Sequence, residues 1–228
     1  MKVSTPLLFL SGALAAPSGN FEARQSCAKL HVIAARETTA PPGFGTAQGM
    51  IQLIQGAFPG TTSEAIVYPA AGGDSYGSSV TAGIKAVVDQ VSAFTAKCPD
   101  TTVVMVGYSQ GSQIMDDAFC GGPDGSSLSE TAAPLPADVG THVKAIIFMG
   151  DPRNVPGLSY NVGTAKAGGF AARPSGFQCP VYEDSIQSYC DAEDPFCSNG
   201  NSAQHHQEYV QIYGQQALAF VQQKVGSI

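Results

Sequence analysis

Two serines in this chain stand in a spacing that can hold a hydroxyl out for reaction. The stretches "GYSQG" around Ser109 and "GDSYG" around Ser75 both match the pattern G-x-S-x-G. In that pattern the glycines permit a sharp turn, and the serine projects from the turn as a nucleophile toward a carbonyl carbon. The pattern alone does not choose between the two serines.

The surroundings of the two serines distinguish them. A nucleophile of this kind needs a strand that ends at the serine and a helix that begins there. Ser109 has both, because "VVMV" leads into it and "SQIMDDAF" follows it as a helix whose free N–H groups would face an anion. Ser75 follows the stretch "PAAGG" and is interpreted as a turn residue. We therefore predict that Ser109 is the nucleophile.

A serine hydroxyl needs a base near neutral pH, and the base needs a carboxylate that orients it. The chain has four histidines. His31 lies inside the first predicted strand, and His142 precedes a strand at the end of the sheet opposite Ser109. His205 and His206 remain, and the residues alone do not decide which of these neighbours faces the serine.

Several aspartates are candidates for the orienting carboxylate. Asp194 is the best placed, because it lies in "CDAEDPFC", a loop that a bridge between Cys190 and Cys197 would hold rigid. Asp151 is the second choice, since it follows the strand "IIFMG" at its C-terminal end. Other acidic residues nearby are interpreted as solvated charges, namely Asp116 and Asp117 on the helix after Ser109, and Asp191 and Glu193 in the bridged loop.

Elements that would position these residues alternate along the chain. Apolar runs predict strands over residues 30–35, 65–69, 103–108 and 143–150, and periodic stripes predict helices over 46–58, 78–97 and 207–225. Continuous apolar strands that alternate with helices are typical of a parallel sheet covered on both faces. No repeat or long linker divides the chain, so we predict one domain over residues 25–228.

The N-terminus predicts export from the cell. Met1–Ala15 combines Lys2, the apolar run "LLFLSGALA" and a small-residue end, as a signal peptide does, and residues 16–24 would form a short pro-segment. The apolar run is shorter than the ~20 residues that a membrane span needs. A net charge of −7 with no basic run also argues against nucleic acid as a partner.

Six cysteines follow this N-terminal segment. Their even number in an exported chain indicates disulfides, of which a Cys190–Cys197 bridge is the safest prediction. Metal binding is the alternative, but the chain has no C-x-x-C pair and no histidine at ligand spacing near a cysteine.

Five longer stretches together resemble a known family. They are "CAKLHVIAARETTAPPGFG", "GYSQGSQIMDDAFCGG", "IIFMGDP", "GLSYNVGTAKAGGF" and "SYCDAEDPFCSNGNSAQHHQEY". From about Cys27 to the C-terminus the chain resembles the fungal acetylxylan esterases, which are grouped with cutinases in a small, lidless branch of the α/β-hydrolases. The resemblance implies a three-layer α/β/α sandwich around a central, mostly parallel, five-stranded sheet.

The same resemblance implies roles for individual residues. It implies a triad of Ser109, Asp194 and His206, and so separates His206 from His205. It implies an oxyanion hole formed by the backbone N–H of Gln110 and by Thr38, whereas turn chemistry alone favours a Thr38 hydroxyl that satisfies its own loop. The implied disulfides are Cys27–Cys98, Cys120–Cys179 and Cys190–Cys197.

These residues predict a secreted serine esterase that removes acetyl or other short acyl groups from xylan or a related polysaccharide, without metal or cofactor. The loops near the site are small and polar, with Phe196 as their main bulky apolar residue, and this favours such a substrate. The alternative is a cutinase, which needs an apolar rim; a carbohydrate-binding protein with an idle triad is a third interpretation. The expected partner is acetylated polysaccharide, with neither nucleic acid nor membrane, and the protein is expected to be a monomer.

Overall fold

The computed structural model of the chain describes residues 1–2 and 27–227. Most of the predicted signal peptide and all of the predicted pro-segment lie outside the described residues. The strands are β1 (Leu30–Ala35), β2 (Thr62–Ala65), β3 (Thr102–Tyr108), β4 (Val143–Met149), β5 (Asn161–Val162) and β6 (Ile186–Tyr189). The helices are α1 (Gln48–Ala57), α2 (Tyr76–Lys97), α3 (Gln110–Cys120), α4 (Ala137–Gly140) and α5 (Tyr209–Val225).

The strands form one sheet in the order β2-β1-β3-β4-β6-β5, and every neighbouring pair is parallel. In a parallel sheet all strands end at the same edge, where loops can carry a functional site. The register aligns Ala35 with Gly107, and Met149 with both Tyr108 and Tyr189. The residues that follow β1, β3, β4 and β6 therefore emerge side by side.

The sheet has six strands where five were predicted. The additional edge strand β5 has only two residues, which pair with Ser188 and Tyr189 of β6. A segment of two residues is too short to show a hydrophobic period, so no sequence pattern could predict this strand.

The second strand lies earlier than predicted, at Thr62–Ala65 instead of residues 65–69. Ile66 and Tyr68 are buried as the apolar run suggested, but the backbone leaves the sheet there. The Arg36 guanidinium, which follows β1, donates to the carbonyl oxygens of Tyr68 (2.7 Å) and Pro69 (3.4 Å). A buried arginine thus satisfies backbone groups that a longer strand would have paired with its neighbour.

Two apolar cores lie on opposite faces of the sheet, so the predicted three-layer sandwich is confirmed. In β1 the side chains of Ile33 and Ala35 pack with α2 and α3, whereas those of Val32 and Ala34 pack with α1 and α5. This alternation is the two-residue period of a strand covered on both faces. Helices α1, α2 and α5 begin within two residues of their predicted starts, and a 3-10 turn precedes each of them, whereas the short α4 was not predicted.

Three disulfides occur among the described residues, in the pairing that the resemblance implies. Cys27–Cys98 joins the segment before β1 to the end of α2, and Cys120–Cys179 joins the end of α3 to the loop before β6. Cys190–Cys197 closes the loop that follows β6. Among the helices of the described chain, none is both long and apolar enough to cross a membrane.

Candidate active site

Ser109 occupies the single-residue turn between β3 and α3. Its backbone has φ 52° and ψ −121°, a conformation that a residue with a side chain rarely adopts. The Ser109 N–H donates to the carbonyl oxygen of Met149 (2.8 Å), and its own carbonyl oxygen accepts from the N–H of Ser112 (2.8 Å). Strain of this kind persists where the surrounding structure enforces it and is common at functional sites.

The two glycines that flank Ser109 are required by close packing. A Cβ atom on Gly107 would lie 2.6 Å from the Cα of Ser112, and one on Gly111 would lie 2.2 Å from the carbonyl oxygen of Ala35. Backbone atoms cannot move away from such contacts cheaply, so both positions need glycine. The glycines of the motif thus let α3 begin directly above β1 and β3.

Ser75, the second match to the motif, lies in the 3-10 turn that precedes α2. Its side chain is exposed, and the nearest preceding strand ends ten residues earlier, at Ala65. The interpretation of Ser75 as a turn residue therefore agrees with its position.

The structure pairs His206 with Asp194 in the interior. Both side chains are buried, and His206 Nδ1 lies 2.6 Å from Asp194 Oδ2. The hydroxyl of Tyr108, at the end of β3, donates to the carbonyl oxygen of His206 (2.8 Å). His206 and Ser109 line the same cavity of about 370 Å³. The histidine is thus held beside the serine from two directions, by a carboxylate and by the strand that carries the serine.

Asp194 is arranged to remain ionised. Its Oδ1 accepts from the backbone N–H groups of Phe196 (2.6 Å) and Cys197 (3.2 Å), and its Oδ2 also accepts from the Tyr209 hydroxyl (2.8 Å). Burial opposes ionisation, but the hydrogen bonds from His206, Phe196 and Tyr209 hold the pKa of Asp194 below its usual value. An ionised Asp194 fixes the proton of His206 on Nδ1 and leaves Nε2 free to act as a base.

Gly150 makes room for the His206 ring. A Cβ atom on Gly150 would lie 2.6 Å from His206 Cε1 and 2.7 Å from Nδ1. Gly150 also has φ 64°, in the region that favours glycine. The end of β4 therefore supplies the space that the imidazole needs.

The neighbouring His205 makes a second, separate pair with Asp191. His205 Nε2 lies 2.8 Å from Asp191 Oδ2, and Asp191 Oδ1 accepts from the Tyr213 hydroxyl (2.7 Å) and from the N–H of Thr164 (2.9 Å). Asp191 is buried, so its interpretation as a solvated charge was wrong, whereas Glu193 is exposed as expected. His205 is absent from the residues that line the cavity of Ser109.

Asp116 and Asp117 were also wrongly interpreted as solvated. Helix α3 is buried on all its faces, so both carboxyl groups lie in the interior. Asp116 pairs with Arg173 (2.8 Å) and Asp117 with Arg153 (3.1 Å). Burial, reinforced by the nearby Asp124 and opposed by Arg153, raises the pKa of Asp117 to about 10. The helix period alone could not show that a second layer of loops covers α3.

Asp151, the second choice for the orienting carboxylate, belongs to this buried network. Its Oδ1 accepts from the N–H of Arg153 (2.9 Å), and within the described residues it has no hydrogen bond to a histidine. Burial, followed by the charge of Asp116, raises the pKa of Asp151 well above its usual value. Asp151 therefore belongs to the Arg153 network and does not orient a histidine among the described residues.

His31 and His142 lie at the other end of the sheet. His31 is buried, stacks on Phe94 with 3.9 Å between ring centroids, and has its pKa lowered to about 4 by burial. His142 precedes β4, where its carbonyl oxygen accepts from the N–H of Val103. Neither histidine is near the strand end that carries Ser109.

Two hydrogen-bond donors implied by the resemblance lie beside Ser109. Gln110 is the first residue of α3, where backbone N–H groups have no partner within the helix. Thr38, in the loop after β1, lines the cavity together with Ser109. In the described chain neither the N–H of Gln110 nor the hydroxyl of Thr38 has a hydrogen-bond partner. Both groups therefore have hydrogen-bonding capacity that the described residues leave unused.

Sequence reasoning missed four residues that shape this site. Tyr108 and Tyr209 support the histidine and its carboxylate, while Tyr76 and Phe170 line the cavity. Tyr108 and Tyr209 each belong to an apolar stretch and resemble ordinary core residues. Phe170 is 58% exposed, and a role in the site can be inferred only from its position at the cavity together with Phe196.

Comparisons with known proteins agree with this geometry. The sequence model of the Cutinase family matches residues 26–225. Cutinase 11 of Verticillium dahliae is 52% identical over 98% of this chain and 78% of its own, and acetylxylan esterase 2 of Talaromyces purpureogenus is 50% identical over 94% of both. The structure of an acetylxylan esterase at 0.90 Å resolution superposes with a TM-score of 0.85 and 52% identity, over 88% of this chain and 100% of that one. The chain therefore belongs to the cutinase family and is a carboxylic ester hydrolase.

Proposed function

We propose that the protein is a secreted serine esterase that removes acetyl groups from xylan or a related plant cell-wall polysaccharide. The observation that carries the proposal is that His206, whose Nδ1 is paired with the buried Asp194, lines one cavity with the strained Ser109. The proposed nucleophile follows β3, whereas the proposed base and orienting carboxylate both lie in the segment between β6 and α5.

In the proposed mechanism the Ser109 hydroxyl oxygen attacks the ester carbonyl carbon while His206 Nε2 takes the hydroxyl proton. Asp194 stabilises the imidazolium that forms, through the hydrogen bond to Nδ1 (2.6 Å). The tetrahedral intermediate carries a negative oxygen, which would accept from the N–H of Gln110 and from Thr38. The sugar alcohol leaves with the proton from His206, and water then attacks the acyl-enzyme with His206 as base.

The lining of the cavity supports a short acyl group. On the side of Thr38 it is lined by small residues, including Gly72 and Gly73, and by the carboxylate-bearing Glu37. A wall of small polar residues offers little apolar surface to a long acyl chain. The resemblance to acetylxylan esterases in both sequence and structure points to the same substrate class.

A second candidate is hydrolysis of cutin polyester, favoured by a specific observation. Phe170 and Phe196 at the cavity are 58% and 38% exposed, more apolar rim than the sequence suggested. Exposed aromatic faces can stack on sugar rings but can also contact aliphatic chains. One of the similar proteins, from Verticillium dahliae, is named a cutinase.

Secretion is supported by the disulfides. Each of the six described cysteines is in a bridge, and such bridges form and persist in oxidising compartments. The proposed signal peptide over residues 1–15 and pro-segment over residues 16–24 would be removed to give a catalytic domain from residue 25 that acts as a monomer. Sequencing the N-terminus of the exported protein tests both cleavage positions.

A chain-length profile distinguishes the two candidate substrates. We expect kcat/KM on p-nitrophenyl acetate to exceed that on p-nitrophenyl octanoate, and acetic acid to be released from acetylated xylan. A clear preference for the octanoate, with fatty acid release from cutin, would contradict the assignment to acetylated polysaccharide.

The Ser109→Ala variant tests the chemistry itself. It should lose ester hydrolysis and labelling by an organophosphonate while its thermal unfolding stays close to that of the wild type. A wild-type protein that does not react with the organophosphonate would instead support the interpretation of an idle triad.

A further inference from the structure

The side chain of Gln110 lies in the protein interior and makes hydrogen bonds with a neighbouring loop and with α2. It is fully buried, its Nε2 donates to the carbonyl oxygen of Ala71 (3.0 Å), and its Oε1 accepts from the Ser79 hydroxyl (2.9 Å). The backbone N–H of the same residue is one of the two proposed oxyanion donors. The same residue thus carries a proposed oxyanion donor on its backbone and is anchored to a neighbouring loop through its carboxamide.

Ser79 completes a closed set of hydrogen bonds. It lies in the first turn of α2 and is buried, and its hydroxyl oxygen accepts from the N–H of Ala71 (2.9 Å) while it donates to Gln110. The N–H and the carbonyl oxygen of Ala71 are therefore both bound, one to Ser79 and the other to Gln110. The loop before α2 is fixed to the start of α3 at this point.

The same loop holds the segment that carries the second donor. The carbonyl oxygen of Ala70 accepts from the N–H of Thr39 (2.7 Å), next to Thr38. Ala70 has φ 51° and Thr39 has φ 64°, and both conformations are strained for residues with a side chain. A Cβ atom on Gly72 would lie 3.1 Å from Thr38 Cγ2, which shows how closely the two segments approach.

We propose that the carboxamide of Gln110 and the hydroxyl of Ser79 are positioning groups that set the distance between the two halves of the oxyanion hole. The path runs from Gln110 and Ser79 through Ala71 and Ala70 to Thr39, and so to Thr38. The inference rests on the proposed function, because it takes Gln110 and Thr38 as the oxyanion donors.

The physical reason for such a link is that the two donors come from separate elements. Gln110 begins α3, whereas Thr38 lies in the loop after β1, and this pair needs a fixed mutual position. Donors to a transition state must be held within about 0.5 Å of their productive positions to be effective. In the described chain the Thr38 hydroxyl has no partner of its own, so its position depends on the backbone that bears it.

The first test is the Ser79→Ala variant, assayed on p-nitrophenyl acetate. We expect kcat to fall about tenfold with KM changed less than about twofold, because a displaced donor weakens the transition state more than the bound substrate. The matched control is Thr95→Val, which removes another buried hydroxyl of α2, bonded only within its own helix (2.9 Å to Val91). The control should keep the wild-type kcat.

A double-mutant cycle then asks whether Ser79 acts through Thr38. Thr38→Val alone should lower kcat by about 10²-fold, as loss of one oxyanion donor does. If Ser79 serves only to place that donor, Ser79→Ala in the Thr38→Val background should lower kcat by less than about twofold more. A full tenfold further loss would show that the two residues act independently and would overturn the inference.

Folding and the proposed function are checked in the same series. If Ser79→Ala does not give a cooperative thermal transition, Gln110→Met takes its place, because it removes the carboxamide and keeps the backbone N–H. If Ser109→Ala is inactive but Ser79→Ala or its substitute keeps the wild-type kcat, the inference alone fails. If Ser109→Ala keeps full turnover, the proposed function fails and the inference fails with it.

Discussion

Two histidines that are adjacent in sequence, His205 and His206, each pair with an aspartate from the same bridged loop. His206 binds Asp194 through Nδ1 and lines the cavity of Ser109, whereas His205 binds Asp191 through Nε2, away from that cavity. The hydrogen bonds that the two histidines donate to their aspartates are similar in length (2.8 and 2.6 Å), and both aspartates have lowered pKa values. A histidine–aspartate pair is therefore not a catalytic unit by itself, and its place relative to a nucleophile decides its role.

The two aspartates also differ in the other groups that donate hydrogen bonds to them. Asp194 accepts from backbone N–H groups of its own loop and from Tyr209, so it is fixed relative to the sheet end. Asp191 accepts from Thr164 and Tyr213, and so joins the loop after β5 to helix α5. The His206–Asp194 pair lies at the cavity of Ser109, whereas the His205–Asp191 pair joins two other segments of the chain.

The largest effect should come from removing the two histidines separately. His206→Ala should lower kcat about 10⁴-fold or more, because loss of the base leaves only binding and oxyanion stabilisation. His205→Ala should change kcat less than about threefold, since its ring does not line the cavity of Ser109. Steady-state kinetics on a short acyl ester measure both. Equal losses in the two variants would show that the histidines share the base role.

Replacing the two aspartates should separate the pairs again. Asp194→Asn should lower kcat about 10³- to 10⁴-fold, because an amide no longer holds the His206 proton on Nδ1 or stabilises the imidazolium. Asp191→Asn is the matched control and should keep kcat within about threefold. A control variant that loses as much activity as Asp194→Asn would refute the distinction between the pairs.

A smaller effect is expected where only the position of His206 is disturbed. Gly150→Ala places a Cβ atom against the imidazole, and a displacement of about 1 Å should lower kcat/KM about 10²-fold. Gly157→Ala is the control, because Gly157 has φ 91° but its added Cβ would meet no atom within 4 Å. Both variants place a residue with a side chain at a positive φ, so both should lose thermal stability. If the two losses are similar but only Gly150→Ala loses activity, the loss of activity is due to the contact with His206.

The smallest effect should appear in the pH dependence of stability. Burial opposes ionisation of Asp191, yet hydrogen bonds from His205, Tyr213 and Thr164 hold its pKa below the usual value. A group with a depressed folded-state pKa stabilises the protein above its unfolded pKa, about 3.9 for aspartate, and this stability is lost as pH falls through the folded-state value.

Asp191→Asn should therefore lose less free energy of unfolding than the wild type when the pH falls from about 5 to about 2. Urea unfolding at several pH values measures the slope, with Glu193→Gln as an exposed control in the same loop. A wild-type slope that Asp191→Asn leaves unchanged would show that this carboxylate contributes nothing to acid unfolding.

Much of the fold followed from local patterns. The strands that became β1, β3 and β4 were continuous apolar runs, and α1, α2 and α5 showed helical stripes, so their places were predicted to within two residues. β2, β5 and β6 were misplaced or missed, because they lie toward the edges of the sheet and are only two to four residues long. A short edge strand is defined by the hydrogen bonds of its neighbour rather than by its own side chains.

The candidate site was also predicted only in part. The sharp turn at Ser109 between a strand and a helix was predicted correctly, because a strand–turn–helix is a local feature. The burial of Asp116, Asp117 and Asp191 could not be predicted, since their arginine, tyrosine and histidine partners lie 14 to 57 residues away along the chain. The exposed position of Phe170 at the cavity could not be predicted from the sequence either.

The sequence by itself determined the parallel sheet, the sharp turn at Ser109 and the short set of candidate histidines and aspartates. Hydrophobic period and glycine spacing are local properties of the sequence, and they do not depend on how distant parts of the chain pack together. Only the tertiary structure decided that His206 lines the cavity of Ser109 and His205 does not, and that Gln110 is tied to the loop beside Thr38. Those outcomes depend on which strand ends meet at one edge of the sheet, and that arrangement exists only when the whole chain has packed.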